Sequence, residues 1–117
     1  MNLTIYHSTE TVNEILDDFL QAYYGKQMSF FASDLLKEGL SPEEIMTAVR
    51  RAMAICRSND TDLRKHFQLV YTTLNGAIVR DCKLSRLGYA LVLLNGPSSN
   101  AVVANWQLQL VRYFLNK

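Results

Sequence analysis

Residues 68–79 read Gln-Leu-Val-Tyr-Thr-Thr-Leu-Asn-Gly-Ala-Ile-Val, and their reading decides the fold class. Gln68 to Thr73 is rich in β-branched and aromatic residues, which suit a pleated, half-buried surface. Asn75-Gly76 then supplies the two positions of positive φ that a type I′ turn needs, and Ala77-Ile78-Val79 resumes the extended pattern. These residues predict a two-stranded hairpin over about 68–82. On either side of it the apolar period becomes that of helices. The expected fold is therefore α+β and mainly helical, with about five helices and one β-hairpin.

Upstream, Val12, Ile15, Leu16, Phe19, Leu20 and Tyr23 recur at helical spacing, with Glu14, Asp17, Asp18 and Gln21 on the other side. Ser8 or Thr9 is placed to cap this first helix and Gly25 to end it. A short helix is expected over 29–37, with Gly39 as its C-cap. Ser41-Pro42-Glu43-Glu44 then gives an N-cap, a proline at the first helical position and two acids in the electropositive first turn. The helix it opens should run to about Arg57. At 100° per residue Ile45, Val49, Ala52 and Cys56 share a narrow arc flanked by Ala48 and Met53, while Arg50, Arg51 and Arg57 lie opposite.

Downstream, helical character resumes at Leu84, and Leu87 to Leu94 leaves almost no polar face, so this helix should be central. Asn95-Gly96-Pro97 stops it, and Ser98 or Ser99 is expected to cap the last helix. There Val103, Trp106, Leu110, Tyr113 and Phe114 form one apolar arc, and Ala104, Leu108, Val111 and Leu115 form another. Such a helix either inserts deeply or meets a partner subunit. A homodimer is expected, with Trp106, Leu108, Val111 and Leu115 as the interface.

The chain has 117 residues and a mass of 13.4 kDa, which fits a single domain over 1–117. Its 49% apolar content suffices for a core without staples. No Cys/His spacing resembles a zinc site, and no metal or cofactor is expected. There is no secretory signal and no apolar run long enough to span a membrane, so a cytoplasmic protein is expected. Cys56 and Cys82 read as structural, reduced thiols. Charge is divided unevenly: residues 1–44 hold two bases and eight acids, net −6, whereas 45–117 hold ten bases and three acids, net +7. Eight of those bases lie between Arg50 and Arg86, which makes an anionic partner worth considering.

The element order is that of a helix-turn-helix followed by a wing, with Leu35, Gly39 and Ile45 at the spacing of the turn. The stretches Phe31-Ala32-x-Asp34-Leu35, Ala52-x-x-x-Cys56, His66-Phe67, Leu84-Ser85-Arg86-x-x-Tyr89-x-Leu91-Val92 and Asn95-Gly96 also occur in a familiar order. Over residues 30–107 the chain resembles the damage-inducible protein D family, whose relatives include domains of bacteriophage antirepressors. Where the family continues Gly-Asp-Pro, this chain reads Gly96-Pro97-Ser98. The resemblance implies a bacterial or phage protein of DNA transactions; a known member antagonises the recombinase filament on single-stranded DNA.

Within the matched positions, Arg86 follows the N-cap Ser85, where a cation is poorly matched to the helix dipole. It awaits either an intramolecular acid, Asp81, or an outside anion. His66 reads as a hydrogen-bonded packing residue, and Asn95-Gly96 as a helix stop. An enzyme is not expected, because no phosphate loop, metal-ligand pair or nucleophile elbow is present. Asp17-Asp18 lie on an exposed helix face, and nothing in the spacing selects a triad from Ser85, His66 and Asp62 or Asp81. No small-molecule substrate is expected either.

Two readings remain open. In the first, a non-enzymatic phage or mobile-element regulator binds DNA, or a DNA-bound protein, through Arg50, Arg51, Arg57, Arg64, Lys65, Arg80, Lys83 and Arg86. Duplex DNA is favoured over single strands, since aromatics do not interleave with the bases except for Tyr71. In the second, the chain is a protein–protein module that inhibits a repressor, recombinase or defence protein without touching DNA.

Overall fold

The computed structural model describes residues 9–116, with side chains from Val12 onward. Among them are α1 (Thr9–Lys26), β1 (Phe30–Phe31), a 3₁₀ segment (Ala32–Glu38), α2 (Pro42–Ser58), a single 3₁₀ turn (Leu63–Lys65), β2 (Phe67–Leu74), β3 (Ala77–Leu84), α3 (Arg86–Leu94) and α4 (Ala101–Leu115). The expected mainly helical α+β fold is the one found: five helices of more than one turn accompany a three-stranded antiparallel sheet in the order β1-β3-β2.

The hairpin is slightly longer than its sequence predicts. Leu74 pairs with Ala77 across a two-residue turn, and Phe67 pairs with Leu84 at the far end. Asn75 and Gly76 have φ of 52° and 82°, as a type I′ turn demands. The strand pairing continues to Leu84, so the expected helical restart there moves to Arg86, capped by Ser85 whose hydroxyl oxygen accepts the Gly88 N–H at 3.0 Å.

The helix expected over 29–37 is the clearest correction. Phe30 and Phe31 instead pair with Leu84 and Lys83 as a short strand. The residues after them wind as a 3₁₀ helix because carboxylates hold its start: Asp34 accepts the Phe31 N–H at 3.0 Å, and Asp81, from β3, accepts both the Ser33 N–H and the Ser33 hydroxyl. Gly39, at φ 92°, ends the segment as expected. Ser41 caps α2 through a reciprocal box with Glu44: the Ser41 hydroxyl oxygen accepts the Glu44 N–H at 3.1 Å, and the Glu44 carboxylate accepts the Ser41 N–H at 2.9 Å.

The core lies where α2, α3 and the base of the hairpin meet. Leu35, Ala48, Ala52, Leu84, Val92 and Val103 are all completely buried within it. Phe30 stacks on Tyr89, with ring centroids 4.6 Å apart. Gly88 is required by a close approach: a Cβ there would sit 2.6 Å from the His66 carbonyl oxygen. Two further expectations are corrected. α3 is not buried all round, since Leu87 and Leu94 are exposed. α4 is capped not by Ser98 or Ser99 but by Asn100, whose Oδ1 accepts the Val102 and Val103 N–H groups while its Nδ2 donates to the Glu38 carbonyl at 2.8 Å.

α1 continues through Gly25 to Lys26 instead of stopping at the glycine. Gly25 is buried there against the Gln68 side chain, in a space that a Cβ would fill. The capping role assigned to Ser8 falls outside the described residues.

Candidate nucleic-acid interface

α2 sorts its side chains as its periodicity predicts. Ile45, Ala52 and Cys56 of the expected arc are buried together with flanking Ala48, Val49 is only half-buried, and Arg50, Arg51 and Arg57 are exposed. Arg50 and Arg57 are seven residues apart and so lie about 20° apart around the helix. Among the described residues, the side chains of all three form no hydrogen bond or ion pair. Arg51 lies on the other flank, in a shallow hollow with Glu43, Glu44, Asn95 and Pro97.

The hairpin extends beyond the core, and Leu69, Tyr71 and Ile78 are exposed on it. Arg80 pairs across the strands with Tyr71 and shares its face of the sheet. Between the hairpin, the 3₁₀ segment and α2 runs an open groove of about 540 Å³. Its lining is mostly apolar, with Leu36, Met46, Val49, Leu69 and Val79 among its walls and Arg80 as its cation.

The structure does not gather all eight expected basic residues into one patch. Arg80 lines the groove, whereas Arg50 and Arg57 lie on an exposed face of α2 outside its lining. Lys83, three residues beyond Arg80, is directed to the opposite face of the sheet and is half-buried. Arg64 is engaged elsewhere, with its guanidinium held by Asp17 of α1 and by Asp62, the latter at 3.2 Å. Lys65 stands over the Tyr24 ring of α1, 5.8 Å from its centroid. Arg64 and Lys65 thus fasten α1 to the body, a role their spacing gave no sign of. Arg86 is exposed, and its expected partner Asp81 is committed to Ser33 and to the Cys82 N–H at 2.7 Å.

His66 behaves as expected: its Nδ1 hydrogen-bonds the Ser85 hydroxyl at 2.7 Å. That joins the 3₁₀ turn to the start of α3. Burial raises the pKa of the Cys56 thiol; at Cys82 burial also dominates, with Asp81 adding to the upward shift. Neither environment favours a thiolate nucleophile. Among the described residues no group of three or more His, Cys, Asp or Glu side chains is placed to hold a metal ion. No helix among them is long and apolar enough to cross a membrane. The chain matches no protein-family model, no curated protein and no solved structure.

The α1 tether yields a prediction. Arg64→Ala should lower amide-exchange protection along α1 while changing global stability by less than about 1 kcal/mol, the scale of an exposed ion pair. Unchanged protection would mean that Lys65 over Tyr24 and the Gly25–Gln68 packing hold α1 without Arg64. The hydrogen bond from Arg64 lowers the Asp62 pKa. Its stabilisation is therefore present above the ordinary carboxylate range and is lost as pH falls through the depressed value. The Asp62–Arg64 pair should not respond to pH between 6 and 8.

Proposed function

We propose that this chain is a non-enzymatic regulator of phage or mobile-element type, acting in the cytoplasm as a winged helix-turn-helix that binds duplex DNA. Its 3₁₀ segment and α2 are the two helices of the unit, Gly39 to Ser41 is the turn, and the β2–β3 hairpin is the wing. The observation that carries this reading is the pair Arg50 and Arg57, aligned on an exposed helix face and, among the described residues, free of intramolecular partners. Two cations about 10 Å apart along a helix suit adjacent phosphates or the edge of a major groove. Arg80 on the wing, and the exposed Arg51 and Arg86, are the further cations this reading draws on.

The acids of the first α2 turn refine the reading. Glu44 is occupied by its cap and Glu43 is exposed beside it, so phosphates are repelled from the helix start. Contact is assigned to the Arg50–Arg57 half of α2. The resemblance to the damage-inducible protein D family fits a DNA-transaction role and is part of the same proposal.

A second reading has an observation of its own. The apolar groove beside α2 suits a hydrophobic segment of a protein partner better than it suits nucleic acid, and it favours an antirepressor-like module. A gel-shift titration separates the two. Duplex DNA should bind more tightly than a single strand of the same sequence at 50 mM salt, and a rise to 200 mM should weaken binding strongly. No affinity for either nucleic acid at low salt would reject direct binding and leave the protein-partner reading.

A further inference from the structure

α1 docks on the body by its polar side. Asp17, Tyr24 and Gly25, which meet Arg64, Lys65 and Gln68, lie within about 100° of one another around the helix. Val12, Ile15, Leu16, Phe19 and Tyr23 occupy the opposite arc and point away, from 46% exposed at Val12 to 65% at Phe19. An amphipathic helix that follows its own moment buries that stripe; this one presents it. α4 leaves a second such face. Val103 is turned to the core, whereas Leu108, Val111 and Leu115 form an outer arc 47 to 74% exposed.

The exposed surface exceeds that of a compact monomer. The chain exposes 8407 Å², against roughly 6,500 Å² for a compact monomer of this mass. Its radius of gyration is 17.4 Å, where about 13 Å is usual for this length. The excess, on the order of 1,000–2,000 Å², takes in the projecting hairpin as well as the α1 and α4 faces, and is of the size that a protomer of an obligate homodimer buries.

Charge chooses between the possible pairings. The α1 stripe is bordered by Asp18, so two copies of α1 laid together would bring like charges close. In α4 the only formal charge is Arg112, which borders Leu108 and Leu115 around the helix. We propose that two copies form a two-fold dimer in which α1 of one lies along the Leu108, Val111 and Leu115 arc of α4 in the other, with the same contact repeated about the axis. This goes beyond the DNA reading and does not depend on it.

The test uses the full chain. Sedimentation velocity should give a dimer at tens of micromolar. Phe19→Glu and Leu108→Glu should each weaken dimerisation at least ~30-fold, the scale of one interface hot spot. Both positions are exposed in the single chain, so the helical circular dichroism should persist in the resulting monomers. In a Cys82→Ser background, Phe19→Cys and Leu108→Cys chains should form a disulfide-linked pair when mixed under oxidation, and neither should cross-link alone. A monomeric wild type overturns the dimer. Cross-linking of Phe19→Cys to itself, but not to Leu108→Cys, overturns the α1–α4 pairing.

Discussion

The double variant Arg50→Ala/Arg57→Ala is expected to bind duplex DNA about 60-fold more weakly than the wild type at 0.1 M salt. That figure follows from losing two phosphate contacts, each contributing about 0.9 to the log–log salt slope. The slope itself should fall by about 1.8, and the deficit should shrink as salt is raised. Stability should change by no more than about 0.5 kcal/mol, because both side chains are exposed and unpaired. Arg64→Ala serves as the internal control. Asp17 and Asp62 already neutralise that guanidinium, so DNA affinity should barely move. A double variant that binds like the wild type would put the contact surface elsewhere, with Arg51 and Arg86 the next residues to test.

Leu84→Ala should be the most damaging single truncation in the sheet. Leu84 ends the central strand, pairs with both Phe30 and Phe67, and is completely buried against the helices. Its loss removes the contact that joins the sheet to α2 and α3, and the rigid hairpin cannot collapse to refill the space. A Leu→Ala cavity of this kind costs about 3 kcal/mol. In a chain of this size that is a fall of roughly 10–15 °C in Tm. Thermal denaturation at one fixed protein concentration measures it, since a dimer would make Tm depend on concentration. Ile78→Ala, near the exposed hairpin tip, should shift Tm by less than about 3 °C. Equal effects at the two positions would mean that the core does not reach the base of the sheet.

What was legible in the sequence was local. Ser41 and Glu44 close their box within one helical turn, Asn75-Gly76 carries its turn geometry alone, and the split between buried Ala52 and exposed Arg50 follows from a single period. Most of the corrections come from distant residues. Whether 29–37 becomes helix or strand depends on β3, some fifty positions away, which pairs with Phe30 and Phe31 and supplies Asp81 to Ser33. The same long-range bond takes Asp81 from Arg86. Asn100 displaces Ser98 and Ser99 as the cap because it also reaches the Glu38 carbonyl, a partner that neither serine's sequence position reveals.

The candidate site divides in the same way. Arg50, Arg51 and Arg57 could be placed from their helix alone, and they are where the periodicity put them. Arg64 and Lys65 could not be, because their partners Asp17 and Tyr24 belong to a helix more than forty residues earlier. Lys83 and Arg80 were separated by strand alternation, which a patch drawn from sequence proximity ignores. The groove had no linear signal at all, since its walls come from four separate segments.

The strand order β1-β3-β2 leaves β2 at the rim of the sheet, with one side of its backbone unpaired by any other strand among the described residues. Its eight residues, Phe67–Leu74, contain no charge and no proline, and Leu69, Tyr71 and Leu74 are already exposed. Most natural edges are protected by a lysine, a bulge or brevity, and this one has none of these gatekeepers. Such a segment is a template for strand addition. Over its length the chain is therefore most exposed to fibrillar aggregation, and damage to the α1 tether that lies against Gln68 would uncover the edge further. A lysine at Thr73 would be the first substitution to try for a more tractable protein in concentrated solution.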